Sequence, residues 1–324
     1  MTNPIQQSSK PMQKNIIIGA ITLILSIVLS GNVFAQEEHA STLIQQSYLG
    51  QTPPDTIPII FAPNLISLPD RYEFGSVFSK DGTEFYFGVD TNFSQQVAGR
   101  LEIWFTELKD GVWSAPKVLL THPTFTHNDP MLSPDESRLY FISNRPITGD
   151  QPKDIDLWYV ERTQEGWSEP QNIGPPVNSS VNEFYASFTD EGALYFSSNT
   201  NDRERGRRGF DIYKAEWSNN SFEKPQKLPE TVNSNYYEGD VYVAPDESYL
   251  IFCAARRGGY GQGDLYISFK DEHGNWTQSK NMGSSINNDK HQFCPFVSYD
   301  GKYLFYTSDR EVYWVSMEIL ERFR

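Results

Sequence analysis

The sequence has few basic residues for its acidic content. It contains 27 Lys and Arg residues against 42 Asp and Glu residues, which gives a formal net charge of −15. A chain with this charge repels phosphate backbones and anionic membrane surfaces. We therefore expect no nucleic acid partner, whereas cations and basic protein surfaces remain open.

Long apolar segments are also missing, apart from one near the N-terminus. Lys10 and Lys14 precede an apolar run of 14 residues, from 16 to 29, and Val33-Phe34-Ala35 follows it. This run is shorter than the roughly 20 residues that span a bilayer, and its flanks are typical of a secretory signal. We predict cleavage after Ala35, a periplasmic or secreted location and no stable membrane insertion. The loss of two lysines takes the net charge to −17.

Cysteine and catalytic motifs are scarce as well. Cys253 and Cys294 are the two cysteines, and in an exported protein they could form one disulfide or stay as buried thiols. The sequence has no Gly-x-Ser-x-Gly nucleophile motif, no Ser-x-Asp-x-Gly-x-x-Trp turn and no His-x-x-x-His pair. From these observations we predict that the protein has no catalytic residue and no cofactor. They do not indicate whether it binds a metal ion.

What the sequence does have is a repeat of about 55 residues. An acidic turn recurs at spacings of 54, 56, 55 and 54 residues, at Asp81, Asp135, Glu191, Asp246 and Asp300. Strand-like segments flank each turn, a third strand begins with an acidic, an aliphatic and an aromatic residue, and a fourth opens on an aromatic residue. Four antiparallel strands per repeat, with no helix between them, predict the blades of a β-propeller.

The repeat also resembles a known family. The segment from Ser133 to Arg145, followed by Asp156-Leu157-Trp158, is similar to the WD-like repeat of the TolB-type β-propellers of bacterial periplasmic and secreted proteins. The resemblance covers roughly residues 72 to 316 and implies an all-β propeller. It leaves the function open, because the same repeat occurs in binding proteins, peptidase propellers and carbohydrate-active enzymes.

The ends of the repeat region predict the number of blades. The fifth repeat lacks a fourth strand of its own, and the spacing found in the other repeats places the missing strand at Ile57 to Phe61. We predict about five blades, with the strand near Ile59 paired to the one near Tyr313, because a shared last blade leaves no open edge. The predicted boundaries are a signal peptide at 1–35, a lead-in at 36–56, one propeller at 57–316 and a tail at 317–324.

A candidate ligand site lies eight residues before each acidic turn, at the start of the innermost strand. The five residues, called the ring positions below, are Glu73, His127, Glu183, Glu238 and Gln292. Innermost strands line the central channel, so these side chains could form a site at one channel mouth for a cation such as Ca²⁺ or for a polyhydroxylated ligand. The alternative is that each side chain hydrogen-bonds the backbone of the neighbouring blade.

Two groups of arginines complete the candidates. Arg145, Arg256 and Arg310 follow the second strands, and we predict ion pairs within each blade to Asp156, Asp264 and Glu311. The loop from Arg203 to Arg208 is either solvated or a contact for an acidic partner.

These features favour a binding or interaction module for a protein or carbohydrate ligand. The alternative is a glycosidase or lyase that uses Glu73, Glu183 and Glu238. The sequence does not indicate the oligomeric state.

Overall fold

A computed structural model of the protein describes residues 47–91, 100–199 and 209–324. The chain divides into two compact units, residues 1–50 and 51–324. The described part of the first unit contains a short 3-10 turn, Tyr48–Gly50. The second unit contains all the β-strands described below. The predicted signal peptide and the loop at 203–208 lie outside the described residues, and the predicted domain boundaries stay predictions.

The second unit is an all-β propeller of five antiparallel blades. The innermost strands are β2 (Tyr72–Phe78), β7 (Asn128–Leu132), β12 (Glu183–Phe188), β18 (Glu238–Val243) and β22 (Phe293–Val297). The second strands are β3 (Glu84–Asp90), β8 (Arg138–Ser143), β13 (Leu194–Asn199), β19 (Tyr249–Ala254) and β23 (Tyr303–Ser308). The third strands are β4 (Leu101–Lys109), β9 (Asp156–Thr163), β14 (Phe210–Ala215), β20 (Asp264–Phe269) and β24 (Glu311–Ser316).

The outermost strands are short and more exposed. They are β6 (Lys117–Leu120), β11 (Gln171–Asn172), β17 (Gln226–Lys227), β21 (Lys280–Asn281) and β1 (Ile59–Ile60). Small hairpins extend three of the blades through β5 (Val112–Trp113), β10 (Gly166–Trp167) and the pair β15 (Trp217–Ser218) and β16 (Ser221–Phe222). A 3-10 segment, Met317–Arg322, follows the last strand.

The predicted ring closure is confirmed. Strand β1 pairs antiparallel with β24, with Ile59 opposite Trp314 and Ile60 opposite Tyr313. The next residue, Phe61, is fully buried, and its ring lies 5.1 to 5.9 Å from four other aromatic rings, those of Phe78, Phe85, Phe305 and Trp314. The segment before the first blade therefore completes the fifth blade, as the spacing of the repeat predicted.

A recurring asparagine ties neighbouring elements of a blade together. Asn178, Asn233 and Asn287 stand five residues before a ring position, and all three are buried. The side-chain oxygen of Asn178 accepts the Leu157 N–H at 2.9 Å, and its amide nitrogen donates to the Leu157 carbonyl at 2.9 Å. Asn233 and Asn287 make the same pair of bonds to their own third strands. The side chain thus replaces a peptide group where the outer strand ends.

The two cysteines are free thiols in this structure, and both are buried. Of the two possibilities that the sequence left open, the structure has the unpaired thiols. Cys253 Sγ lies 3.3 Å from the His291 Nε2 atom.

Candidate functional site

The ring positions lie at the junctions between blades. The backbone N–H of each of four of them donates to a carbonyl that precedes or begins the third strand of the neighbouring blade, at 2.8 to 3.1 Å. These four are Glu73, His127, Glu183 and Gln292. All five side chains are nearly or completely buried, with exposed fractions of 0 to 3%. The innermost strand of each blade therefore starts against the blade before it.

The hydrogen bonds of the ring carboxylates stay close to their own blades. Glu183 accepts the Ser179 N–H at 3.2 Å, the Ser179 hydroxyl at 2.6 Å and the Ser198 hydroxyl at 3.1 Å. Glu238 accepts the N–H and the hydroxyl of Ser234, together with Arg256 Nε at 2.9 Å. These side-chain bonds go to the segment that leads into each blade and to the second strand of the same blade or the residues after it, and none of them goes to the backbone of the neighbouring blade. The ligand-binding role stays a prediction.

At the other ring positions, Glu73 and Gln292 also bond to residues of the segment just before them, whereas His127 does not. Glu73 accepts from Arg71 Nε at 2.5 Å and from the Leu68 N–H at 3.4 Å. Gln292 accepts the Asn288 N–H at 3.2 Å and donates to the Asn288 side chain at 2.7 Å. The ring of His127 is buried, and its Nδ1 atom has no hydrogen-bond partner among the described residues.

Burial changes the protonation of the ring positions. It raises the pKa of Glu73 and of Glu183 to about 7, against the opposing effect of their hydrogen-bond donors. It lowers the pKa of His127 to about 4, and the nearby His122 and Arg145 contribute in the same direction. His127 is therefore neutral at neutral pH.

The residues that contact one another across the propeller axis stand two positions further along each strand. They are Gly75, Asp129, Tyr185, Asp240 and Cys294, and all five have a positive φ of 50° to 55° at a β-bulge of the innermost strand. Asp129 is close enough to Gly75 that a Cβ atom there would lie 2.9 Å from its Oδ1 atom. Cys294 Sγ lies 3.6 Å from the same oxygen, and the Tyr185 hydroxyl donates to the Pro295 carbonyl at 2.9 Å. These five residues are called the axial set.

The two axial carboxyl groups are strongly perturbed. Burial raises the pKa of Asp240 to about 8, with the Asp129 charge adding to the effect, and burial raises the pKa of Asp129 to about 6. Burial also raises the pKa of the Cys294 thiol well above its usual range, so the thiol stays protonated. The axis is thus lined by mostly uncharged groups at neutral pH.

The predicted ion pairs within the blades are wrong for Arg145 and Arg256. Arg256 pairs with the ring position Glu238, whereas Asp264 accepts the N–H groups of Tyr260 and Gly261 and the Asn281 amide. Asp156 accepts the Asn172 amide at 2.8 Å. The Arg256 side chain thus reaches the ring position of its own blade instead of Asp264.

A groove on the outside of the ring is a second candidate surface. It has a volume of about 650 Å³ and lies between the second and third blades. Tyr140, Tyr159, Trp217 and Phe222 contribute aromatic surface, and Trp217 is 37% exposed. The Trp217 and Phe222 rings are in edge contact, with centroids 4.6 Å apart. The repeat pattern did not single out this groove, because its lining combines strand and turn residues of two blades.

Among residues 47–91, 100–199 and 209–324, no helix has the length and apolar character needed to cross a membrane. The same residues contain no group of three or more His, Cys, Asp or Glu side chains placed to hold a metal ion.

No family model and no curated protein matches the sequence. Among solved structures, the chain is similar to TolB from Acinetobacter baumannii, with 13% identity, a TM-score of 0.47 and coverage of 76% of this chain and 55% of that one. It is similar to a putative TolB from Agrobacterium tumefaciens, with 12% identity, a TM-score of 0.47 and coverage of 74% and 70%. It is also similar to an α-L-arabinofuranosidase from Lactobacillus brevis, with 15% identity, a TM-score of 0.48 and coverage of 78% and 90%. The chain thus spans about 55% of the length of the Acinetobacter protein. The propeller fold itself rests on the strand order and ring closure described above.

Proposed function

We propose that the protein is an exported, non-enzymatic binding module whose ligand is a protein segment or a glycan. The observation that supports this proposal most directly is the state of Glu73, Glu183 and Glu238. Glycosidases need two carboxyl groups that face the scissile bond across an open site. Here the three carboxylates are 0 to 1% exposed, and donors from their own blades already occupy them.

The external groove supports a binding role as well. Exposed aromatic faces with polar groups around them suit a site that recognises a ligand through apolar contact and a few hydrogen bonds. Trp217 and Phe222 offer such faces, and Asp190 and Arg138 lie in the same lining. A groove of about 650 Å³ falls in the range of small-molecule sites.

The test separates binding from catalysis through Glu183→Gln and Glu238→Gln. If these side chains hold the segments that lead into their blades, each substitution lowers the free energy of unfolding by about 1 to 3 kcal/mol, because a buried hydrogen-bond acceptor is lost. Ligand binding per folded molecule then stays unchanged. The exposed Glu230→Gln serves as the matched control and leaves stability unchanged.

The measurements are thermal melts, a glycan and protein binding screen with the purified full chain, and assays for glycoside hydrolysis and β-elimination. Turnover of a glycan that Glu183→Gln or Glu238→Gln abolishes in a folded protein would contradict the proposal and support the glycosidase or lyase alternative. Fractionation of cells that express the tagged chain tests the export separately.

A further inference from the structure

Two blades neutralise a buried arginine in the same way. In the first blade, the Arg71 guanidinium lies 4.8 Å from the Trp104 ring centroid and pairs with Glu73. In the fourth blade, Arg256 lies 4.5 Å from the Tyr266 ring centroid and pairs with Glu238. In both, the aromatic residue of the third strand supports the guanidinium, and the glutamate at the ring position balances its charge.

The second blade keeps the arginine and the aromatic residue but lacks the glutamate. Arg145 lies 5.7 Å from the Trp158 ring centroid, and the ring position is His127. Among the described parts of the chain, no carboxylate lies within ion-pair distance of Arg145. Removing a charge from water without a partner is costly, so this half-buried guanidinium is a candidate for binding an external anion.

Other polar groups around Arg145 are also without partners. His127 Nδ1 and Trp158 Nε1 are buried atoms with no hydrogen-bond partner in the described residues, and their side chains are 3% and 4% exposed. The Thr126 hydroxyl is in the same state. The Asp156 Oδ1 atom of the same blade is also unpaired, which makes four such groups. Buried polar groups are usually paired, and of these four the Trp158 N–H is the donor that an anion could satisfy.

The same residues line open space. A cavity of about 1060 Å³ and another of about 410 Å³ share His122 and Arg145 in their linings. His127 lines the larger cavity and Trp158 lines the smaller one. Two of the residues with unpaired groups, His127 and Trp158, therefore border cavities that a ligand could enter.

The chemistry of this lining favours an anion. Trp158 Nε1 only donates, and a guanidinium offers five donors in a planar fork. His122 Nδ1 accepts the N–H groups of Thr124 and Phe125 at 3.1 and 3.2 Å, which leaves its Nε2 atom as the donor of the ring. One acidic residue, Asp150, lies in the lining of the smaller cavity, where its carboxylate accepts the Gln151 amide.

We propose that this pocket of the second blade, with Arg145 at its centre, binds the carboxylate group of a small acidic ligand. A carboxylate matches the fork of one guanidinium in a bidentate pair. The other cations of the two linings, Lys109, Lys117 and Arg162, already pair with Glu107 or Glu84. Glu165 and Glu169 add negative charge to the larger lining, so the binding is assigned to Arg145 itself, the one cation of the described linings without an ion pair.

The carboxylate could belong to an acidic sugar or to a free organic acid, and the test distinguishes the two. The purified full chain is titrated with sodium glucuronate, sodium acetate, glucose and inorganic phosphate, by calorimetry and by thermal shift. We expect glucuronate, acetate or both to bind and glucose to have no effect. Binding of glucuronate but not acetate identifies an acidic sugar, and the reverse identifies a free organic acid.

Two variants in the pocket and one control outside it assign the binding to this pocket. Arg145→Gln should weaken carboxylate binding at least about tenfold, because a charge-assisted pair is lost. Arg324→Gln makes the same change at an exposed residue of the C-terminal tail and should bind as the native protein does. His127→Glu supplies the internal carboxylate that Arg256 has in the fourth blade, so it should abolish carboxylate binding and raise the melting temperature.

Nuclear magnetic resonance gives a readout at the site itself. Acetate or glucuronate should shift the Trp158 indole N–H and the His127 ring resonances of the native protein and leave them unmoved in folded Arg145→Gln. Equal binding of glucose and glucuronate, tighter binding of phosphate than of carboxylates, or unchanged binding by Arg145→Gln would each overturn the proposal. The proposal stands apart from the proposed binding function, since this pocket and the external groove can fail independently.

Discussion

The axial set shows how one repeated backbone position can carry different chemistry in each blade. Its members are a glycine, two aspartates, a tyrosine and a cysteine, all in the left-handed region of φ. Asp129 and Asp240 bring two carboxyl groups into a fully buried axis, where their charges repel and desolvation penalises both. At least one proton is therefore held between them near neutral pH.

The first prediction follows from the raised pKa of Asp240. In the unfolded chain the group ionises near its ordinary pKa of 3.8, whereas in the folded protein it ionises at about 8. Between these values the folded state holds a proton that the unfolded state has released. The group's contribution to stability is therefore fully present below pH 3.8, is lost as the pH rises, and falls by about 1.4 kcal/mol per pH unit.

Asp240→Asn keeps the shape of the protonated group and tolerates the positive φ. We expect this variant to melt at a higher temperature than the native protein at pH 8 and at nearly the same temperature at pH 4. Asp271→Asn, at a turn where the carboxylate is fully exposed, serves as a control and should not reduce the loss of stability with rising pH. Parallel melting curves of native protein and Asp240→Asn from pH 4 to 8 would refute the buried proton.

The axial set also shows which residues could not be predicted from the sequence. The spacing of the repeat found the ring positions, because these side chains belong to regular strand ends. It missed the axial set, because a β-bulge reverses which residues face the axis. Only Gly75 hints at a left-handed residue, whereas aspartate, tyrosine and cysteine at positive φ leave no compositional signal.

At the scale of elements, the closing strand β1 is short, but the residue that follows it, Phe61, is fully buried. Strand β1 contains two residues, both exposed, so its pairing with β24 alone contributes little. Phe61 follows it and fills a cluster of aromatic rings from the first and fifth blades. Hence we expect the Phe61 side chain, rather than the pairing of β1 with β24, to contribute most to the stability of the closure.

The second prediction is that Phe61→Ala lowers the free energy of unfolding by about 3 to 5 kcal/mol, as expected for a large-to-small change in a packed core. Ile57→Ala removes an apolar side chain of the same segment that is 73% exposed, and it should change stability by less than about 0.5 kcal/mol. Denaturant unfolding of both variants checks the difference. Similar losses in the two variants would contradict the central role of Phe61.

The strands and turns were the features that the sequence predicted best. Acidic turns, aromatic second strands and acid-led third strands recur with the blade, so five copies reinforced one another. The closing strand was predicted for the same reason, since the count of residues between a fourth strand and the next blade is nearly constant. The partners of Arg145 and Arg256 were wrongly predicted, because the sequence does not show that the arginine reaches inward while Asn172 and Asn281 satisfy the nearby aspartates.

At the scale of the whole molecule, the two ends of the propeller share one blade. The Ser316 N–H donates to the Asp55 carbonyl at 3.1 Å, and the Phe61 N–H donates to the Val312 carbonyl at 2.7 Å. All the strands between these ends lie within the closed ring. Opening the pair of β1 and β24 would therefore expose two sheet edges at once.

The last prediction tests whether this closure limits the stability of the whole ring. The Phe61 bond to Val312 makes Ile60 and Tyr313 a non-hydrogen-bonded pair, in which Cα atoms lie about 4.5 Å apart. That separation suits a disulfide, so Ile60→Cys combined with Tyr313→Cys should form one across the closure.

A bond that closes so long a loop restricts the unfolded chain strongly, by about 5 kcal/mol in the chain-entropy model. We expect the oxidised double variant to melt about 10 °C above its reduced form, because a domain of this size gains about 2 to 4 °C per kcal/mol. The single variants control for the substitutions and for Cys253 and Cys294, whose burial should keep them unreacted. If mass spectrometry shows the new bond and the melting temperature still does not rise, the prediction that cross-linking the closure stabilises the ring is contradicted.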